Sequence, residues 1–355
     1  MKIPHYSKIH NRFKINGVHY NQDELTQVAY NFIKEGEPYE EVMGVFLLDW
    51  LDSNSSIEVP TSGSTGTPKK IKVSKQAMVH SAVRTGEYFG LEVGGRALHC
   101  LPVDYIAGKM MLVRAMILGL DLILMAPKTT LDLGDSQYDF CAMVPLQAQK
   151  TLSQLTQIKT LLIGGAPLSD YLRNALNENH DGCYETYGMT ETLTHIAVSK
   201  VKQPSQPFEL LPEIRIESDT DNCLLIHAPH LSDMPIQTQD VVELLSAKQF
   251  HLLGRKNNII NSGGKKLFPE QMEKQLGQKI NKPFFLAGQA DEQLGEKLIL
   301  IAEGKDHHRD SIEAALVSVF GKEKLLFPKE IVFLKAFVYT PTGKIDRRQT
   351  LAQIR

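Results

Sequence analysis

The 355-residue chain is 42% hydrophobic and 23% charged, ordinary globular proportions and enough for two domains with cores of their own. Its formal net charge of -2 gives no global field for nucleic acid or an anionic membrane, so any anion site must be built locally. The four cysteines, Cys100, Cys141, Cys183 and Cys223, include no CxxC pair, which argues against zinc or a disulfide scaffold and for buried, reduced thiols in a cytoplasmic protein.

The first residues, MKIPHYSKIHNRFKING, have no apolar core region and do not read as a signal peptide. Phe13–Tyr20 alternates around Asn16-Gly17, a hairpin signal. Asn21 and Glu24 have capping-box spacing, and Leu25, Val28, Ala29, Phe32 and Ile33 then fall on one helical face. A second helix carries Met43, Phe46, Leu47, Trp50 and Leu51 as a packing stripe. Ile57–Val59 and Ile71–Val73 read as strands, and Ser74 is placed to cap a following helix. Met110–Ala126 is the most apolar stretch. Arg114 and Asp121 break it, so a buried helix followed by a strand at DLILMA explains it better than a membrane span. Strand-like runs recur near Leu162, Leu225, Leu300 and Phe333 with helical runs between, the alternation of an α/β protein. His227 and His230 form a lone HxxH, without further ligands nearby. Gly254–Lys266, GRKNNIINSGGKK, is polar, basic and glycine-bearing. It reads as a linker that sets off a C-terminal domain of about a hundred residues, giving boundaries of 1–256 and 257–355.

The stretch between the two early strands is TSGSTGTPKK, Thr61–Lys70. It fails the Walker A pattern, because Pro68 stands where the second glycine belongs. The physics is nevertheless that of an anion cradle. Gly63 and Gly66 let the backbone approach a phosphate, Thr61, Ser62, Ser64, Thr65 and Thr67 supply hydroxyls, and Lys69 supplies charge. Taken alone, a plain surface turn explains it as well.

Four further stretches follow it: YETYGMTET at Tyr184–Thr192, TQD ending at Asp240, GRKNNIINSGGKKLFPEQME at Gly254–Glu273, and PTGKIDRR at Pro341–Arg348. In this order the five resemble the adenylate-forming superfamily of acyl- and aryl-CoA ligases, luciferases and peptide-synthetase adenylation domains. The resemblance runs from about Ile57 to the end of the chain. It implies an α/β fold with a large N-terminal adenylate-forming domain and a small, mobile α+β C-terminal domain. It also implies two half-reactions. A carboxylic acid and ATP with Mg2+ give an acyl-adenylate, and a thiol such as CoA then releases AMP.

The resemblance also implies roles. Thr61–Lys69 would embrace the β- and γ-phosphates. Tyr187 and Gly188 would border the adenine, with Gly164, Gly165 and Ala166 on another side, and Thr190 would reach the α-phosphate. Glu191 would hold Mg2+, a hard cation suited to a carboxylate. Asp240 would accept from both ribose hydroxyls, which its two oxygens allow, with Arg255 near ribose and phosphate. Lys344 would offset the repulsion between carboxylate and α-phosphate in the transition state. The C-terminal domain would rotate about Asn257, where many relatives carry aspartate or lysine, and Ser262, Gly263 and Gly264 would then line the thiol path.

Two departures narrow the reading. Only sixty residues precede the phosphate loop, where relatives usually carry a much longer front segment, so the N-terminal domain reads as truncated at its front. The segment LPVDYIAGK at Leu101–Lys109 puts Asp104 and Tyr105 where many CoA ligases carry an aromatic and a histidine. A polar rim suits a small aromatic or polar acid better than a long acyl chain. The compact length and DYIAGKMMLVRA resemble short bacterial ligases of menaquinone biosynthesis that act on o-succinylbenzoate, a diacid. Its second carboxylate needs a donor or cation; Lys109, His195 and Tyr105 are candidates, and Thr192 and Thr194 are placed to line the acyl pocket. Another aryl- or short-acyl-CoA ligase, and an adenylating module that loads a carrier protein, remain open alternatives. So does a catalytically dead nucleotide-binding homologue, against which Glu191, Asp240 and Lys344 speak. The expected partners are therefore a small carboxylic acid, ATP and CoA, without nucleic acid or membrane insertion; a homo-oligomer stays open.

Overall fold

A computed structural model describes residues 2–60, 70–280, 282–305, 308–321, 323–339 and 345–354. The chain packs as two units. One comprises Met1–Pro167, Ala175–Arg215 and His227–Ile236; the other comprises Leu168–Asn174, Ile216–Ile226 and Gln237–Arg355.

The first unit opens with the expected hairpin. Strands β1 (Lys14–Ile15) and β2 (Val18–His19) pair antiparallel around Asn16 and Gly17, both at positive φ, as a two-residue primed turn requires. Helix α1 (Gln22–Glu35) starts at a complete Asn21/Glu24 capping box. Helix α2 (Pro38–Leu51) packs against it, burying Met43, Phe46, Leu47 and Trp50. Strands β3 (Ser56–Pro60) and β4 (Lys70–Ser74) pair antiparallel with Pro60 opposite Lys70. They bracket the candidate phosphate loop, Thr61–Lys69, which itself lies outside the described residues. Ser74 caps helix α3 (Lys75–Phe89) through Ala77 N–H.

The main sheet follows: β5 (Arg96–His99), β6 (Asp121–Leu124), β7 (Tyr138–Met143), β8 (Ile158–Ile163), β9 (Cys183–Gly188), β10 (His195–Lys200) and β11 (Phe208–Leu210). Its order is β2-β1-β6-β5-β7-β8-β9-β10-β11, and β1, β6, β5, β7, β8 and β9 run parallel. Helix α4 (Ile106–Leu118) joins β5 to β6 and packs on α3. Every residue from Gly108 to Leu118 is buried, which explains why Met110–Ala126 looked apolar without a helical stripe. Helices α5 (Pro145–Lys150) and α6 (Asp170–Asn179) complete the set of connections. Among the described residues no helix is long and apolar enough to cross a membrane. All four cysteines are free and buried.

In the second unit β12 (Arg215–Ser218), β13 (Cys223–His227), β14 (Ile236–Ser246) and β15 (Gln249–Arg255) lie side by side. A further sheet holds β16 (Ile260–Ser262), β17 (Lys265–Leu267), β18 (Phe284–Asp291), β19 (Gly295–Glu303) and β20 (Glu330–Leu334). Period-two burial splits β18 and β19 between two cores. Leu286, Leu298, Leu300 and Ala302 join helices α7 (Pro269–Leu276) and α8 (Arg309–Phe320), while Phe285, Ala287, Ile299 and Ile301 meet Phe337 and the Leu351 end of α9 (Arg347–Leu351). The stretch that reads as a linker runs through β15, a short turn at Lys256–Asn258, β16 and β17. Its polar composition reflects short strands that bury only a few side chains, Ile260, Ser262 and Leu267 among them.

Asn21→Ala should cost about 1 kcal/mol, because it strips the Asp23 and Glu24 N–H groups of their acceptor. Chemical denaturation checks this; a loss indistinguishable from zero contradicts the assigned cap.

Candidate active site

The parallel strands create the place for a site. From β5 the chain goes to β6 on one side, then crosses back to β7 on the other. Such a reversal opens a crevice at the carboxyl ends of the strands, where open α/β sheets bind ligands. Three of the sequence-predicted stretches leave the sheet at those ends: Leu101–Lys109 after β5, Gly164-Gly165-Ala166 after β8, and Tyr187-Gly188 closing β9. Gly164 leaves no room for a Cβ, which would collide with Thr186 Oγ1, and Gly165 holds φ +84°. Tyr187 is buried against Phe208, ring centroids 5.8 Å apart.

After Gly188 the chain turns through Met189–Thr194 and returns as β10. A Cβ on Gly188 would strike the backbone of Thr194 and His195, so glycine is needed for that close return. The Thr192 hydroxyl staples the turn: it accepts from Met189 N–H at 2.9 Å and lies 2.8 Å from Thr194 O and 3.0 Å from Met189 O. Leu193 sits at φ 65°, ψ -45°, a conformation rare for a branched side chain. On one side of this turn stand buried Thr190 and exposed Glu191; on the other stand Thr194 and buried His195.

His195 and Thr192 line a small cavity together with Ser81, Arg84, Ile196 and His230. The space inside it is about 10 Å³, room for about one water. Its walls carry charge. Arg84, 4% exposed, ion-pairs with Glu213 through Nε and Nη2, and its Nη1 lies 2.6 Å from His230 Nδ1. That hydrogen bond and the charge of Arg84 hold the Glu213 carboxyl below its usual range. Burial, with Arg84 and His80 beside it, pushes His230 down to about 3, so this ring is neutral. His230 thus belongs to a side-chain cluster, and among the described residues no group of His, Cys, Asp and Glu is arranged for a metal ion.

Arg114 of α4 is 2% exposed. Its Nη2 donates to Thr194 Oγ1 at 2.8 Å; among the described residues Nη1 reaches only the Met111 sulfur and Nε has no partner. Burial pulls its pKa down to about 9. Sequence reasoning missed Arg84, Arg114 and Glu213. Arg114 interrupting an apolar helix was the available signal.

Lys109 and Tyr105 are placed elsewhere. The Lys109 ammonium donates to Val103 O at 2.6 Å and lies 5.1 Å from the Phe46 ring centroid, and burial lowers its pKa. Tyr105 is exposed at the N-cap of α4, next to exposed Asp104. Neither lines the cavity that Thr192 and His195 share.

In the second unit Asp240 and Arg255 face each other across β14 and β15, with Arg255 Nε donating to Asp240 Oδ1 at 2.9 Å. Asp240 is buried and Arg255 exposed. Asn257 lies in the Lys256–Asn258 turn, flanked by the Lys256–Asp221 pair and by Asn258 Nδ2 on Glu270 Oε1. Ser262, Gly263 and Gly264 form the β16–β17 hairpin turn, both glycines at positive φ. Lys344 lies outside the described residues; Tyr339 and Ile345 bridge on either side of it.

Comparison with known proteins agrees with this architecture. Residues 58–216 match the AMP-binding enzyme family. The crystal structure of an acyl-CoA synthetase (AMP-forming)/AMP-acid ligase II-like protein from Dyadobacter fermentans is 33% identical, covering 93% of this chain and 98% of that one, with TM-score 0.61. A 2-succinylbenzoate–CoA ligase from Listeria monocytogenes is 23% identical over 91% of this chain and 74% of its own. The o-succinylbenzoate CoA synthetase of Bacillus subtilis, solved with its acyl-adenylate intermediate, shares the fold at TM-score 0.72 and 20% identity, covering 82% of this chain and 68% of that one. The chain belongs to the AMP-binding enzymes, in the adenylate-forming family of AMP-forming acyl-CoA synthetases and AMP-acid ligases. It is accordingly an acid–thiol ligase that uses ATP with Mg2+ and takes CoA as a substrate. Exposed Glu191 fits the metal's needs, because Mg2+ keeps several waters and takes one or two carboxylates beside substrate phosphates.

Thr192→Val should unfasten the turn, leaving Met189 N–H without its acceptor at a cost of about 1–3 kcal/mol. Thr192→Ser should retain most of the stability. Thermal unfolding of the pair tests this, and a loss in Thr192→Ser with none in Thr192→Val would point to methyl packing instead.

Proposed function

We propose that the protein joins a small aromatic diacid, o-succinylbenzoate, to CoA through an acyl-adenylate. The observation that carries the choice of acid is the charge balance around the cavity. Two buried arginines, Arg84 and Arg114, stand at or just behind its wall, and Glu213 offsets only the first. A buried guanidinium without a carboxylate among the described residues is costly. A ligand that brings a second anionic group recovers that cost, whereas an uncharged acyl chain does not. The similar curated ligases that carry 2-succinylbenzoate in their names point the same way.

In this reading Thr61, Ser62, Gly63, Ser64, Thr65, Gly66, Thr67 and Lys69 hold the β- and γ-phosphates, and Thr190 reaches the α-phosphate. Tyr187, Gly188 and Gly164–Ala166 border the adenine, and Asp240, held by Arg255, accepts from the ribose. Mg2+ held by Glu191 would neutralise phosphate charge. Lys344 lowers the repulsion between carboxylate and α-phosphate. Asn257 is the pivot between half-reactions, after which Ser262, Gly263 and Gly264 face CoA. The distal carboxylate is drawn toward Arg114 and His195, in place of Lys109 and Tyr105.

Incubation with ATP, Mg2+, CoA and a panel of acids, with the thioester identified by mass, should yield o-succinylbenzoyl-CoA in preference to benzoyl- or fatty-acyl-CoA. Turnover of the monoacids with o-succinylbenzoate ignored would refute the substrate while leaving the ligase class intact. Transfer only to a carrier protein would move the reading to a loading enzyme. Lys344→Ala should slow adenylation about a hundredfold or more, yet spare thioester formation from supplied acyl-adenylate; equal loss in both half-reactions counts against its role. Arg114→Gln should raise KM for the diacid about tenfold or more while changing that for benzoate little.

A further inference from the structure

A chain of hydrogen bonds runs behind the cavity, and its polarity is fixed by which members can only donate. The Arg114 guanidinium has donors alone, so the Thr194 hydroxyl, 2.8 Å from Nη2, must accept. That hydroxyl has one hydrogen, and His195 Nδ1 lies 3.1 Å away to receive it. A neutral imidazole that accepts at Nδ1 carries its proton at Nε2. On the far side Nε2 lies 3.4 Å from Thr85 Oγ1, whose own hydrogen goes to Ser81 O at 3.0 Å. Thr85 can therefore only accept from Nε2–H. Arg114 of α4, Thr194 just before β10, and Thr85 and Ser81 of α3 agree on one tautomer of His195. Burial and the nearby Arg114 charge hold His195 well below the usual histidine range, so the ring is neutral. The other ionisable wall groups are Arg84, paired with Glu213, and neutral His230.

We propose that Arg114 and Thr194 are positioning residues that hold His195 as the neutral Nε2–H tautomer, so that the acyl cavity presents a fixed hydrogen-bond donor to the acid. This rests on reading the cavity as the acyl pocket. His195 lines it, and the 3.4 Å contact with Thr85 is long for a hydrogen bond. A carbonyl or carboxylate oxygen in the cavity can take the Nε2 hydrogen over. The class selected is an acid with an acceptor oxygen on the part remote from the activated carboxyl. A site built to hydrogen-bond such a group rejects analogues lacking it.

The test reads the imidazole directly. In protein labelled with 15N-histidine, long-range 1H–15N correlation, with the His195 signal assigned from a His195→Gln sample, should show a neutral Nε2–H ring at neutral pH. Thr194→Val should mix or reverse the tautomer, and Thr194→Ser should restore it. In parallel, Thr194→Val should raise KM for o-succinylbenzoate about tenfold with kcat less affected, and Thr194→Ser should return it toward wild type. A charged or Nδ1–H ring in the wild-type protein overturns the proposal without requiring any variant to fold. So does an unchanged tautomer in Thr194→Val. Because the tautomer is read without substrate, a different preferred acid would defeat the substrate reading and leave this result standing.

Discussion

The turn between β9 and β10 is the constraint on which the site depends, and the Thr192 hydroxyl holds it. Thr190 and Glu191, which we propose meet the α-phosphate and Mg2+, stand at its start. Thr194, which accepts from Arg114, and His195, which lines the cavity, stand at its end. Their separation is therefore set by one short piece of backbone. An enzyme that joins a carboxylate to a phosphate needs such coupling, because a misplacement of about 1 Å can cost a hundredfold in rate. Gly188 makes the turn sterically feasible, since any Cβ there would meet the returning strand.

Charge around the cavity follows from burial. Arg84 is neutralised inside its own wall by Glu213 and packs on a neutral His230. Arg114 is not neutralised by any described carboxylate, and its Nε makes no hydrogen bond. The two arginines do different work for that reason. The first closes the wall, as a paired group can. The second leaves the interior short of one negative charge and also gives direction to the hydrogen bonds that end on His195.

Local signals were legible in the sequence because local physics decides them. The Asn16-Gly17 hairpin, the Asn21 box, the Ser74 cap and the strands flanking the phosphate loop depend on a few adjacent residues, and each is found where the pattern places it. Long-range packing was not legible. Lys109 follows the polar DY pair and looks like a pocket cation, yet its helix is buried on all sides and its ammonium is spent on Val103 O and the Phe46 ring. Arg84 and His230 are 146 positions apart and meet only in the fold. The polar composition of Gly254–Lys266 resembled a linker because strands of three residues bury little. Thr192 was read as a substrate contact on its place in a motif. Its hydroxyl serves the turn, although the residue also lines the cavity.

Leu193 connects these observations. A buried leucine at φ 65°, ψ -45° stores strain, on the order of 1–3 kcal/mol for such a conformation. The Thr192 hydrogen bonds on one side and the return into β10 on the other hold it there. Relaxing Leu193 would move Thr194 and break its contact with Arg114 or with His195. The strain is thus kept by the same bonds that align the cavity donor, and the site's polar groups are set before any ligand arrives. Preorganisation of this kind spares the reaction the cost of reorienting dipoles as charge develops. It also explains why a turn between two strands, ordinarily a tolerant part of a fold, here carries a glycine, a stapling threonine and a strained leucine within six residues.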